Sequence, residues 1–356
     1  MRLVPPLALL TVLSACGTVS PAPVRTPAPA ETPVGTPAAT PVTRLPPVSA
    51  APREYTVAFG GDVHFEGVLR ARLDRDPGTV FGPVAKVLRK ADLAMVNVET
   101  AITEGGTRVP GKKYAFRAPA TAFTALKAAG IDVVTMANNH GMDYQRSGLA
   151  DTLAAIRRAK YPVVGIGRDA KAAYRPFRET VNGNRVAVVG ATQVIDEEHV
   201  HAWSATGSQG GLASAKNEAR LLKEVRKVRK DSDTVIVYLH WGTESKSCPN
   251  PAQRALAPRL VKAGADVIVG SHAHVLLGGG FLGRAYVAYG LGDFLWYDPG
   301  PTGVLTLTIK GRKVLKDRWT PAAIRGGVPV PLTGAARARG VADWKALRSC
   351  AGLSAR

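Results

Sequence analysis

The chain has little cysteine, few aromatic rings and a deficit of acidic groups. Among 356 residues there are 3 cysteines and 6% aromatics, and 27 Asp and Glu stand against 47 Lys and Arg. It carries no nucleic-acid motif and none of the aromatic interleaving that grips single strands, so nucleic acid is excluded as a partner. A phosphate-cradling loop is missing too. The glycine-rich LLGGGFLG after His274 lacks the strand-turn-helix context of a nucleotide fingerprint and reads as a loop near the mouth of a site. The apolar stretch Leu3 to Leu13 is too short to span a bilayer as a stable helix.

What that stretch supplies is an export signal. Met1 and Arg2 precede it, and Leu13-Ser14-Ala15-Cys16 resembles a bacterial lipobox that would leave Cys16 as the lipid-bearing first residue of the mature chain. The alternative is an ordinary signal peptide with a chance cysteine, but no other cysteine occurs before Cys248. Residues 1–16 are therefore expected to be a lipoprotein signal. Residues 17–52, dominated by Pro, Thr, Ala and Val, read as a disordered tether, which places the protein outside the cytoplasm and anchored to the membrane. With Cys16 lipidated, Cys248 and Cys350 can pair or stay free; a bridge would pin the C-terminal tail near the loop after His240. Residues 53–310 suffice for one folded domain closed by a strand at Val304 to Ile309, and 311–356 read as a basic, weakly patterned extension. Of the net charge of +20, +18 falls beyond residue 52. For an exported domain that points to envelope polyanions, such as teichoic acids, phospholipid head groups or polyglutamate. The basic run 220–230 spaces Leu221, Leu222, Val225 and Val228 along one helical face, so its charges face water.

Five of the 7 histidines follow apolar, β-branched runs: His64, His140, His240, His272 and His274. TVAFGGD, LAMVNVE, VVTMANNH, VIVYLHWG and VIVGSHAH read as strands buried on both faces. Helical patterns separate them: Thr121 to Ala129 with Thr121 as N-cap, Ser147 to Lys160, and Pro251 to Ala263. Strands alternating with helices predict an α/β layered fold whose ligands gather beyond the carboxyl ends of the strands. Imidazole is a good ligand for zinc, iron or manganese, so the clustering predicts a metal-lined site there.

Asp62 and His64, one residue apart after a strand, can face one ion; otherwise Asp62 caps a helix and His64 packs. His272 and His274 repeat that spacing behind VIVG. An amide oxygen of Asn138 or Asn139 can ligate a hard ion, while the adjacent His140 can protonate a leaving group or hold an anion; otherwise the two asparagines form a turn. Asp143 reads as a helix cap. His199 and His201 lie in a polar insertion and read as surface loop.

In chain order, Asp-x-His, Glu, Asn-His, His and His-x-His resemble the calcineurin-like metallophosphoesterases. GGDVHFEG, MVNVETAIT, MANNHGMDY, VGIGR, LHWGTE, GADVIVGSHAHV and AYGLGDFLWY narrow this to a resemblance to the CapA family of poly-gamma-glutamate capsule-synthesis proteins, over about residues 55–298. The resemblance implies a four-layer α/β/β/α sandwich with one or two divalent ions, manganese, zinc or iron. Carried over, Asp62, His64 and His274 hold one ion, and Asn139, His240 and His272 the other. His140 becomes the general acid or substrate clamp. The parent fold supplies a bridging aspartate where this chain reads Asn97-Val98-Glu99, making Glu99 the candidate bridge. Many relatives have an apolar residue where His64 stands. Glu244 is a further candidate as ligand, base or ammonium clamp, unless it is a plain loop carboxylate, and Asp293 would support the site from behind or merely end a strand.

Two metals sharing a hydroxide favour attack on phosphorus. The leading expectation is thus a metal-dependent hydrolase or transferase acting on an envelope phosphoester or an amide of polyglutamate. The contrasting one is a tethered, non-catalytic accessory protein that handles an anionic polymer within a capsule-synthesis membrane complex. A third is a retired phosphatase that keeps a structural metal.

Overall fold

The computed structural model describes residues 51–355; the expected leader with Cys16, and the tether up to residue 50, lie outside the described residues. In chain order the main strands are β1 (Tyr55–Val63), β2 (Leu93–Val98), β3 (Val133–Thr135), β4 (Val163–Val164), β5 (Phe177–Val181), β6 (Asn184–Thr192) and β7 (Thr234–Trp241). They continue with β8 (Val267–His272), β9 (Leu276–Leu282), β10 (Ala285–Leu291), β11 (Asp293–Leu295), β12 (Pro301–Lys310), β13 (Lys313–Arg325) and β14 (Val328–Pro331). They form two large sheets. One runs β14-β13-β12-β1-β2-β3-β4, with β11 also paired to β1; the other runs β9-β10-β8-β7-β6-β5.

Helices α1 (Val68–Arg75), α2 (Thr121–Ala128) and α3 (Gln145–Ala159) cover the outer face of the first sheet, packing Leu73, Leu126 and Leu149 against Val96 and Val134. Helices α4 (Glu218–Arg229) and α5 (Pro251–Ala263) cover the second, where Leu221, Val225 and Leu260 meet Val237 and Leu239. Val57, Phe59 and Met95 face Ile236, Tyr238 and Val269 between the sheets. Three apolar seams separate four layers, the expected α/β/β/α sandwich. The central strands β1, β2 and β3 run parallel, as do β6, β7 and β8, so each sheet delivers several strand ends to one edge.

Helix boundaries follow local chemistry. At α5 the Asn250 side chain accepts from the Gln253 backbone, and the Gln253 side chain accepts in return from the Asn250 backbone, a complete capping box. Thr121 is the first residue of α2 rather than its cap; Ala120 precedes the helix and the cap carries no side-chain hydrogen bond. In α4 the spacing of Leu221, Val225 and Val228 does bury one face.

Three expectations need correction. The strand at 304–309 does not close the domain: β12 runs antiparallel to β1, then turns into β13, β14 and the helix α6 (Gly334–Ala351). The reading of 311–356 as weakly patterned failed because β13 is a long sheet strand whose inner positions are interrupted by exposed charges, and because α6 buries few side chains. Its main anchor, Trp344, stacks on Trp319 at 4.2 Å. Likewise, the glycine-rich 276–282 segment is strand β9, not a loop. A Cβ on Gly278 would stand 2.6 Å from Leu347, and one on Gly279 2.8 Å from Trp344, so the glycines let α6 lie flat on the strand. Among the described residues no helix is long and apolar enough to cross a membrane.

Candidate metal centre

The parallel strands end together. Register sets Asp62 beside Asn97 in the first sheet, and His240 beside Ser271 and Trp241 beside His272 in the second. Asp62 donates its backbone N–H to the Gly292 carbonyl at 2.9 Å, which brings in Asp293 at the head of β11. That approach requires glycine at 61, where a Cβ would lie 1.8 Å from the same carbonyl oxygen. His272 and His274 have φ of 92° and 56°, left-handed values that cost a non-glycine residue about 1–3 kcal/mol each and concentrate at functional sites. The His272 N–H donates to Asp62 Oδ2 at 2.9 Å and so ties that turn to β1.

Side chains of Asp62, Glu99, His240, His272, His274 and Asp293 converge in overlapping groups. The sets Glu99, His272 and His274; Asp62, Glu99 and His240; and Asp62, His274 and Asp293 each bring one N or O atom per residue within 4.8 Å of the others. Asp62, Glu99 and His274 belong to two sets apiece. Asn139 Oδ1 lies 2.7 Å from His240 Nε2, at the edge of the same cluster. Among the described residues both Glu99 oxygens and His272 Nδ1 are buried with no hydrogen-bond partner, although Glu99 Oε1 is 3.3 Å from His240 Nε2. Buried polar groups are normally paired, so a carboxylate with two idle oxygens facing imidazoles marks a missing partner. A divalent cation fits this donor set of imidazole nitrogens and carboxylate oxygens.

Charge follows from burial. Burial pushes Glu99 well above the carboxylate range, reinforced by Asp62, and drives His240 well below the imidazole range. Both shifts oppose charge on the two groups in their 3.3 Å contact. Burial also raises Asp62 and lowers His64 and His272 to about 3. His274 differs. Burial works to lower it, but the hydrogen bond from Nδ1 to Asp293 Oδ1 at 2.7 Å and the Asp293 charge outweigh that and hold it at about 8. Asp293, raised by burial, sits at about 6. A bound cation would reverse the trend by favouring ionised carboxylates and neutral imidazoles together.

His140 stands at the rim. Its Nδ1 meets Asp143 Oδ2 at 2.6 Å and its Nε2 is 3.8 Å from Glu99 Oε1. Asp143 also accepts from the Phe116 N–H at 2.7 Å and from Lys112, which further donates to the Asn139 carbonyl. Asp143 is thus the orienter of His140 rather than a helix cap. Lys112, Phe116 and Asn97 escaped the sequence reading. Asn97 donates to Asp62 Oδ1 at 2.7 Å and approaches His240 Nδ1 at 3.2 Å, a role legible only from its place at the end of β2. Phe116 stacks on His140 at 4.1 Å and on His64 at 4.8 Å. His64 itself stands outside the convergent sets, enclosed by Phe116, Trp296 and Tyr297.

Glu244 is exposed on the loop after β7 and makes no hydrogen bond or ion pair among the described residues; its charge contributes to raising His274. Cys248 and Cys350 are joined, with Cα atoms 5.5 Å apart, and the bridge anchors that loop to α6. His199 and His201 lie far along the chain on the 197–203 segment; His199 stacks on Trp203, and His201 is exposed. A separate cavity of about 780 Å³, lined by Tyr174, His201, Lys216 and Arg220, contains none of the cluster residues.

Residues 56–297 match the family described as bacterial capsule synthesis protein PGA_cap. The chain is 34% identical over 269 residues to capsule biosynthesis protein CapA of Bacillus anthracis, covering 72% of this chain and 64% of that one. It is 27% identical to the PGA biosynthesis protein CapA of Bacillus subtilis (strain 168), over 78% and 73% of the two chains. Among solved structures, a dimetal phosphatase from Danio rerio aligns over 74% of this chain and 98% of its own, with 12% identity and a TM-score of 0.41.

Proposed function

The chain belongs to the bacterial capsule synthesis protein family PGA_cap, and from that premise we propose that it is a metal-dependent hydrolase or transferase of an anionic envelope polymer, with a phosphoester as the leading substrate class. Export and tethering through Cys16, and work beside a capsule-synthesis membrane complex, belong to the same proposal. One observation carries the enzyme reading: Glu99, fully buried with both oxygens unpartnered among His240, His272 and His274. A polymer-binding surface has no use for such a group. Asp62, Glu99, His240, His272 and His274 would hold the ions, with the Asn139 amide oxygen at the edge. Bound there, divalent ions supply Lewis acidity and a nucleophilic hydroxide near neutral pH.

The residues of the chain then do the following. Asp143 accepts from the Phe116 N–H and Lys112, and it likewise accepts the hydrogen bond of the His140 Nδ1–H. That leaves His140 Nε2 as an acceptor facing the cluster. Burial lowers His140 despite the opposing pull of Asp143, so the neutral ring would take the proton that an attacking water releases and return it to the leaving oxygen. The charge of +18 beyond residue 52 favours an anionic substrate and also supports the second reading, an accessory protein that only binds polymer.

The test is metal content together with turnover. Protein purified without chelator should carry one or two ions per chain and, with manganese or zinc, should cleave a phosphodiester or phosphomonoester. The double variant His272→Ala, His274→Ala should lose metal affinity by roughly 100-fold and lose turnover with it. Absence of metal in the parent, or polymer binding and capsule phenotype intact in the double variant, hands the case to the binding reading.

A further inference from the structure

His64 and His274 occupy equivalent places in two aspartate- or histidine-x-histidine pairs, yet their rings are wired in opposite senses. His274 Nδ1 faces an acceptor, Asp293 Oδ1 at 2.7 Å, so Nδ1 carries the proton and Nε2 keeps its lone pair for a cation. His64 Nδ1 faces a donor. The backbone N–H of Glu66 points at it from 3.0 Å, and a backbone N–H can only donate. His64 Nδ1 therefore holds the lone pair and Nε2 holds the proton. His240 Nδ1 also meets a donor, the Asn97 side-chain N–H at 3.2 Å, and its Nε2 meets the Asn139 amide oxygen at 2.7 Å, so its proton rests on Nε2 here too. The difference is the Ser271 hydroxyl at 3.0 Å from Nδ1, which can turn to accept and lets that ring change tautomer.

The His64 Nε2–H is fully buried and has no partner among the described residues. Its ring is fixed on three sides, stacked on Phe116 at 4.8 Å and edge-on to Trp296 at 4.2 Å and Tyr297 at 4.6 Å. Phe116 also stacks on His140, at 4.1 Å, and both imidazoles lie within about 23° of the plane of its ring. One aromatic ring thus aligns two imidazoles of different character, an acceptor at His140 and a donor at His64.

The geometry points to His64 as a hydrogen-bond donor to an oxyanion of the substrate, in a subsite walled by Phe116, Trp296 and Tyr297, and not as a metal ligand. The assignment rests on the metal-dependent reading of the neighbouring cluster, which supplies the reason for a phosphoryl or carboxylate oxygen to lodge there. It departs from the ligand role implied for an Asp-x-His pair, and it explains how a donor can remain buried and unpaired in an otherwise satisfied aromatic box.

Zinc and inorganic phosphate are the probes. His64→Phe, which keeps the ring and removes both nitrogens, should retain the zinc count of the parent, whereas His272→Ala should lose zinc. Zinc-loaded His64→Phe should bind phosphate roughly tenfold more weakly than the parent, and His64→Gln, which restores an N–H donor, should recover most of that loss. Nitrogen-15 spectra of the parent should show a protonated His64 Nε2 both with and without zinc. Loss of a zinc ion in His64→Phe, or loss of the Nε2 proton when zinc is added, overturns the assignment. A parent that takes up no zinc sinks the metal reading instead, and the tautomer measured by nitrogen-15 still decides the donor assignment.

Discussion

The strand-end cluster and the C-terminal unit of β13, β14 and α6 are both buried, but they are built on opposite terms. At the cluster, Glu99 and His272 keep polar atoms without partners, and two histidines hold left-handed backbone. In the C-terminal unit Trp344 stacks on Trp319, Arg348 bonds both Asp317 and the Gly279 carbonyl, and Cys350 is tied to Cys248. Even there Trp344 Nε1 lacks a hydrogen-bond partner among the described residues, so the contrast is one of balance. The difference teaches a division of labour: α6 and its strands stabilise a sandwich that must tolerate an unfavourable polar pocket at its other edge. Damage to one region should then leave the other's property intact.

The strongest way to break that division is Trp344→Ala. The side chain is 1% exposed, and its loss opens a cavity between β9 and β13. Unfolding free energy in urea should fall by about 3–5 kcal/mol, with ions per folded chain unchanged. A parallel loss of metal under native conditions would show that α6 shapes the cluster after all. Replacing Cys248 and Cys350 by serine should cost about 2–4 kcal/mol, since the bridge spans a sequence separation of 102. It sharpens the comparison, because the bridged loop also donates from the Ser245 N–H to the Ala273 carbonyl at 2.8 Å, between the two cluster histidines. A thermal shift with no change in metal affinity is the expected result; weakened metal binding would make the bridge part of the site.

The same contrast governs what could be read from sequence. Strands β1, β2, β7 and β8 are mostly apolar runs that lead into Asp62, Glu99, His240 and His272, so period and chemistry agreed and the strand-end cluster was legible. The C-terminal unit was not. Strand β13 mixes Lys, Asp and Arg with Val and Trp, α6 buries only Trp344 and Ala351, and Gly278 and Gly279 make sense only against a helix 60 and more residues away. Inside the cluster, residue type showed which side chains could ligate, but not which nitrogen carries a proton. That is set by Glu66, Ser271 and Asp293, and a histidine spacing has no access to it. Lys112 and Phe116 come from a loop with no periodicity, and only folding brings them to Asp143.

The smallest effect is the most diagnostic, because its sign should reverse. In chelator, Glu99→Gln should stabilise the protein by about 1–3 kcal/mol at neutral pH, since it removes a buried carboxyl that must hold a proton or go uncompensated. The linkage is explicit. The unfolded Glu99 ionises near its ordinary value of 4.5 while the folded one is raised well above it, so the parent's advantage from this group is complete below 4.5 and is lost as pH rises. Glutamine does not titrate, so the gain from substitution should vanish below that pH and grow above it. Saturating zinc or manganese reverses the outcome, because ligand-linked stabilisation then belongs to the parent and is lost with the carboxylate. Chemical denaturation of both proteins, with chelator and with metal, on each side of pH 4.5 reads all four corners. If Glu99→Gln is destabilising in chelator as well, the carboxyl has a structural partner and the cluster resembles the C-terminal unit more than an ion site.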